Sequence, residues 1–285
     1  MPERVTLFEV GPRDGLQNEA RAIATRDKIR FVDLLSATGL RKIEAASFVS
    51  PRWVPQMADG AQVLAGIRRA PSVSYAALTP NLRGLEGAVA AGADEVAVFA
   101  SASEGFSRAN INCTIDESLA RYREVAEAAS AAGLPVRGYV SCITQCPYDG
   151  TVEPQAVRRV AAELLRLGCY EVSLGDTLGR AAPGEIDRLL RCLLAELPAA
   201  RLAGHFHDTS GQALRNVEVA LEAGLRTFDA SVGGLGGCPY APGASGNVAS
   251  ESLAARLAEL GLETGIDPAR LAEAGAFART LRSGA

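Results

Sequence analysis

His205 and His207 are the only histidines in this 285-residue chain, and they are separated by a single residue in RLAGHFHDTSGQ, residues 201–212. On a strand, residues i and i+2 face the same side, so an extended backbone there points both imidazoles in one direction. Two neutral imidazoles side by side begin a divalent-cation site. Carboxylate or amide oxygens would complete it, and Asp14 and Asn247 are the candidates. A mixed nitrogen and oxygen donor set with positions open to water or substrate suits Mg²⁺ or Mn²⁺, whereas structural zinc favours thiolates. The competing reading is a pair of core histidines that only hydrogen-bond. A second residue stands out: Cys238 lies in GGLGGCPYAPGASGN, a glycine-filled loop, whereas Cys169 and Cys192 lie in apolar runs that read as core.

These residues need elements to hold them. Eight β-rich runs recur: 5–10, 41–47, 73–78, 95–100, 136–142, 170–175, 201–207 and 226–232. Between them come amphipathic stretches such as RDKIRFVDLLSATG and PQAVRRVAAELLRLG. Their apolar residues recur at three- and four-residue spacing, and most end in a glycine just before the next strand. Eight alternations predict a TIM (β/α)8 barrel, an α/β fold, as one domain over residues 1–285. The barrel is expected over about 5–260 and a C-terminal helix over about 266–282. The runner-up is a doubly wound open sheet, but the first turn, GPRDGLQNE, lacks that fold's glycine-rich phosphate signature.

In such a barrel the chemistry sits at the C-terminal ends of the strands. Strand one exits into Arg13 and Asp14. Strand two carries Glu44 and ends at Ser47, and strand four is followed by Ser101. Strand five carries Tyr139 and Ser141, and strand six leads to Ser173, Asp176 and Thr177. Strand seven ends in His205, His207 and Asp208. Strand eight leads to the Cys238 loop and then Asn247. Arg13–Asp14 could instead be a salt-bridged surface turn, and Asp176 with Thr177 could cap the segment that follows.

Bulk properties narrow the class. The chain is 48% apolar and 22% charged, with a net charge of −4. Its acidity argues against a nucleic-acid or anionic-membrane partner. The six cysteines need no disulfides in a chain able to bury a large core. MPERVTLFEV shows no signal-peptide pattern and LRSGA no peroxisomal or lipid-anchor motif, so a cytoplasmic protein is expected.

In order along the chain come FEVGPRDGLQNE, IEAASFVSPRWVPQMAD, LTPNLRG, NIN, RGYVSC, GCYEVSLGDT, HFHDT and SVGGLGGCPYAPGASGN. Together they resemble the 3-hydroxy-3-methylglutaryl-CoA lyase family. The resemblance implies a divalent-cation-dependent barrel that cleaves this thioester to acetyl-CoA and acetoacetate. It also implies a homodimer and a CoA thioester as partner. By the same resemblance Asp14, His205, His207 and Asn247 correspond to metal ligands, and Cys238 to a catalytic cysteine. Arg13 corresponds to a substrate contact, and Gln17, Ser47, Asn110, Tyr139, Ser141, Ser173 and Thr177 are candidates to line the substrate. The chain departs from animal relatives at Ala20, where they carry lysine, and no redox regulation through a counterpart of their C-terminal cysteine is expected.

The reaction so implied is a retro-Claisen cleavage, and it asks for these residue types. A cation acts as Lewis acid toward the C3 oxygen. Arg13 offers a fixed cation to the enolate forming on the thioester. Cys238, a thiol largely protonated at neutral pH, can protonate the nascent carbanion. The base for the C3 hydroxyl stays open among Asp14, His205 and Asp176, and Glu44 would orient Arg13 or a bound water. Rival readings are a lyase for a longer branched 3-hydroxyglutaryl-CoA, a Claisen-type condensing enzyme akin to isopropylmalate synthase, and a non-catalytic metal-binding barrel.

Overall fold

A computed structural model describes residues 3–237 and 246–282. Cys238 and the rest of its loop through residue 245 lie outside the described residues. Eight parallel strands close on themselves: β1 (Thr6–Glu9), β2 (Lys42–Ser47), β3 (Ser74–Leu78), β4 (Glu95–Ser101), β5 (Val136–Ser141), β8 (Glu171–Asp176), β9 (Leu202–Phe206) and β10 (Thr227–Ala230). A two-stranded hairpin, β6 (Gln145–Cys146) and β7 (Gly150–Thr151), follows β5. The barrel closes where β1 pairs with β10 in register Thr6 with Thr227 through Glu9 with Ala230. Closure decides against the open doubly wound sheet, and all eight expected strands are present.

The helices are α1 (Thr25–Ser36), α2 (Gly60–Gly66), α3 (Leu82–Ala90), α4 (Glu104–Ile111), α5 (Ile115–Ala131), α6 (Pro154–Arg166), α7 (Pro183–Leu194), α8 (Ala213–Glu222), α9 (Ser250–Glu259) and α10 (Pro268–Leu281). The helix α6 shows why they form. Pro154 occupies its first turn, where no N–H is required, and Val157, Val160, Ala161 and Leu164 lie buried along one stripe. It stops at Gly168, whose φ of +102° is a conformation open to glycine. The large core lies between this helical ring and the outer face of the strands. Within it Cys169 is buried as expected, while Cys192 is only half-buried.

The inside of the barrel is different. Phe8, Val10 and Ala76 form a small apolar floor, and the Arg137 guanidinium stacks 4.2 Å from the Phe8 ring centroid. Arg137 is fully buried. It donates to Glu171 at 2.9 Å and to both oxygens of Asp229, at 2.7 and 3.1 Å. Alternation along β5, β8, β9 and β10 thus sends Arg137, Tyr139, Glu171, Ser173, His205 and Asp229 inward, and a cation among two carboxylates replaces the usual aliphatic filling.

Candidate active site

All strand exits lie at one end of the barrel because all eight strands are parallel. The exit of β1 is one turn of π-helix, Gly11–Gly15, closed by Gly15 N–H donating to Val10 O at 3.1 Å. This turn buries Arg13 and aims it across the barrel mouth. Arg13 Nε donates to Glu44 Oε2 at 2.5 Å, and its Nη1 donates to Asp14 Oδ1 at 2.8 Å. Its guanidinium lies 5.4 Å from the Tyr139 ring centroid. Burial alone would weaken its charge, but Glu44 and Asp14 hold it fully ionised. Burial raises the Glu44 pKa against the pull of Arg13. Among the described residues, Glu44 Oε1 is left buried with no partner.

Both imidazoles point into this mouth, 5.2 Å apart between ring centroids. His205 and Asp229 are opposed in register on β9 and β10, and His205 Nδ1 lies 3.0 Å from Asp229 Oδ2. A proton on Nδ1 leaves the Nε2 lone pair facing the mouth. Burial pulls His205 down, but the Asp229 hydrogen bond and charge, with Asp14, leave its pKa above the ordinary value. His207 goes the other way: burial and the neighbouring His205 depress it to about 4, so it is neutral at pH 7. Its Nε2 is 3.8 Å from Asp14 Oδ2.

Asp14 joins the two sides. Its Oδ1 also accepts from Gln17 Nε2 at 3.2 Å, and its Oδ2 accepts from Asn247 Nδ2 at 2.8 Å. Burial would raise the Asp14 carboxyl, but Arg13 and the two histidines hold it below the usual range. Asn247 arrives because residues 246–248 run antiparallel beside the end of β9. Asp208 N–H donates to Gly246 O at 2.9 Å and Val248 N–H to Phe206 O at 3.0 Å. One ligand atom each from Asp14, His205 and His207 lies within 4.8 Å of the others. Among the described residues, Asn247 Oδ1 is buried with no hydrogen-bond partner. A buried carbonyl oxygen without a donor is costly unless something electropositive meets it. Two imidazoles and a carboxylate, with this amide hydrogen-bonded to the carboxylate, therefore fit an oxophilic divalent cation.

The remaining expected residues divide. Tyr139 sits between Arg13 and Arg137, with its hydroxyl 3.0 Å from Arg137 Nη1. Ser173 Oγ donates to Asp229 at 2.7 Å. Ser47 is buried and its Oγ is 3.4 Å from Val49 N–H. Ser141 ends β5, half-buried, and Asn110 is exposed on α4. Thr177 Oγ1 accepts from Cys142 N–H at 2.9 Å, holding Cys142 at φ +60°. Asp176 Oδ2 accepts Ala181 N–H at 2.9 Å in the loop after β8, and burial pushes its pKa up to about 6. That contact is the loop-capping alternative. Sequence reasoning passes over two members of the site, Asp229 and Arg137. A signal exists for both, since a charge in mid-strand of a barrel must point inward or stay unpaired in the apolar layer.

Residues 4–277 match the HMGL-like family. The chain is 58% identical, over 96% of its length and 92% of the other's, to a Pseudomonas aeruginosa protein named 3-hydroxy-3-isohexenylglutaryl-CoA/hydroxy-methylglutaryl-CoA lyase. It superposes on the crystal structure of the HMG-CoA lyase from Brucella melitensis with a TM-score of 0.98 at 58% identity, covering 99% of this chain and 100% of that one. An HMG-CoA lyase from Acinetobacter baumannii, solved with coenzyme A and 3-methylmalate, superposes with a TM-score of 0.92 at 38% identity, over 98% and 91% of the two chains. With the closed barrel and the cluster at its mouth already described, these matches over nearly the whole chain leave one conclusion: the protein belongs to the HMGL-like family.

Proposed function

We propose that this chain is a divalent-cation-dependent carbon–carbon lyase that cleaves 3-hydroxy-3-methylglutaryl-CoA to acetyl-CoA and acetoacetate. The reading is carried by the convergence of Asp14, His205 and His207 at the barrel mouth, with Asn247 Nδ2 2.8 Å from Asp14 Oδ2 and Asn247 Oδ1 without a partner among the described residues. These four residues would hold Mg²⁺ or Mn²⁺. When bound, the cation supplies Lewis acidity toward the C3 oxygen of the substrate.

The chain's own groups do the rest. Arg13 is a buried, permanently charged donor, fixed by Glu44 on one side and Asp14 on the other. It is suited to stabilise the enolate as the C2–C3 bond breaks. Tyr139, Ser173 and Gln17 belong to the same polar lining, and Ser47, Ser141, Thr177 and Asn110 extend it in this reading. Of the three candidate bases, Asp14 and His205 stand in the cluster, while Asp176 engages the loop backbone and is read as its cap. Cys238 is the proposed donor of the proton that traps the acetyl carbanion.

The test is an assay of the purified protein with hydroxymethylglutaryl-CoA, before and after EDTA. Cleavage lost with EDTA and regained with Mn²⁺ supports the reading, and turnover indifferent to EDTA overturns it. The name of the Pseudomonas relative favours a second substrate, so the isohexenyl thioester belongs in the same assay. The homodimer is part of the same proposal and is read by light scattering.

A further inference from the structure

The oxygen donors of the cluster come from segments far apart in the chain, Asp14 after β1 and Asn247 just before α9. Glu9, the last residue of β1, is none of the donors, yet it is fully buried and touches both segments. Its Oε1 accepts Gly11 N–H at 2.9 Å and Val232 N–H at 3.1 Å, and its Oε2 accepts Ser250 Oγ–H at 2.6 Å. Gly11 opens the turn that carries Arg13 and Asp14. Val232 follows β10, which carries Asp229. Ser250 opens α9, three residues after Asn247. A Cβ on Gly11 would stand 2.5 Å from Glu9 Oε1, so glycine is what lets the turn come this close.

We propose that Glu9 is a positioning residue for the oxygen half of the cation site: one carboxylate sets the Arg13–Asp14 turn against the Asn247–Ser250 segment. The inference rests on the reading of the cluster as a cation site. Glu9 acts through backbone and hydroxyl bonds and never meets the cation. Glu251 supports the same stem from outside by accepting Gly233 N–H at 2.9 Å. Burial pushes Glu9 up to about 7. Its geometry serves both protonation states, because a proton on Oε2 can be donated to Ser250 Oγ while Oε1 still accepts the two N–H groups.

The experiment is a Mn²⁺ titration of the metal-stripped full chain, followed by the electron paramagnetic resonance signal of free aquo-Mn²⁺, with no substrate present. Glu9→Gln offers the same acceptor to Gly11 and Val232 and an N–H₂ donor to Ser250. It is expected to bind Mn²⁺ within about threefold of the unaltered protein, whereas Glu9→Ala, folded by circular dichroism, is expected to bind about tenfold more weakly, as for other supports of metal ligands. Ser250→Ala removes one bond of the three and covers the case in which Glu9→Ala does not fold. A weakening of about two- to fivefold there supports the inference. Unchanged affinity in folded Glu9→Ala, or in Ser250→Ala, overturns it, as does Glu9→Gln failing as badly as Glu9→Ala. If the unaltered protein binds no Mn²⁺, the cation reading itself falls and this inference with it, which is a distinct result.

Discussion

At the scale of single residues the site is a set of charges that fix one another's state. His205 and His207 are chemically alike and two positions apart, and burial lowers both, yet their partners send them in opposite directions. The difference is Asp229, which meets His205 alone and is itself held by Arg137 and Ser173. This pattern predicts the effect of Asp229→Asn. The amide keeps a hydrogen-bond acceptor for His205 but loses the charge that balances Arg137. Mn²⁺ affinity should fall about 10- to 100-fold. A urea midpoint should show the fold weakened by about 3 kcal/mol, since a buried ion pair has lost one partner. Retained Mn²⁺ affinity in the folded variant would remove Asp229 from the site. The histidine pair is legible in the sequence because strand parity alone makes two such residues converge. Asp229 is equally subject to that parity but sits alone in FDA, and its partner Arg137 lies 92 residues away. Only the barrel's curvature brings β5 opposite β10. Glu9 is hidden for another reason: two of its three bonds are to backbone N–H groups, which carry no sequence signature, and the third is to Ser250, 241 residues away.

At the scale of elements, the eight strands and most of the helices follow from period and punctuation, so the barrel is legible in the order of residues alone. The short non-repeating pieces are not. The π-turn at Gly11–Gly15 aims Arg13, the β6–β7 hairpin follows β5, and the register shift between Glu44 and Ala46 on β2 falls beside the carboxylate that holds Arg13. Each depends on tertiary contacts rather than periodicity. The helix α10 shows the legible kind. Asp267 Oδ1 accepts the N–H of Ala269 at 2.9 Å and of Arg270 at 3.2 Å, with Pro268 next to it. Asp267→Ala should therefore cost about 1 kcal/mol of stability in denaturant titration, with the cleavage rate unchanged. A larger loss, or a loss of rate, would mean that α10 does more than close the outer ring.

At the scale of the whole molecule, the proposed cation site is also a seam. The barrel closes between β1 and β10, and the four proposed donors come from both sides of that closure: Asp14 beyond β1, the histidines on and just after β9, and Asn247 beyond β10. A cation bound there ties the start of the chain to its last quarter, and the unfolded chain has no such arrangement to offer. By linkage, Mn²⁺ at about 100 times its dissociation constant then stabilises the fold by about 2.7 kcal/mol. With an unfolding entropy of about 2.1 cal/mol/K per residue, this amounts to a rise of about 4 to 5 °C in the thermal midpoint. The rise should grow with the logarithm of Mn²⁺ concentration, vanish with EDTA, and be absent in Asp14→Ala, which removes a donor while leaving the β1–β10 pairing in place. Differential scanning fluorimetry of the stripped protein reads all three. A midpoint indifferent to Mn²⁺ would mean that the donors converge without holding an ion, and a rise that survives Asp14→Ala would place the ion somewhere else on the molecule.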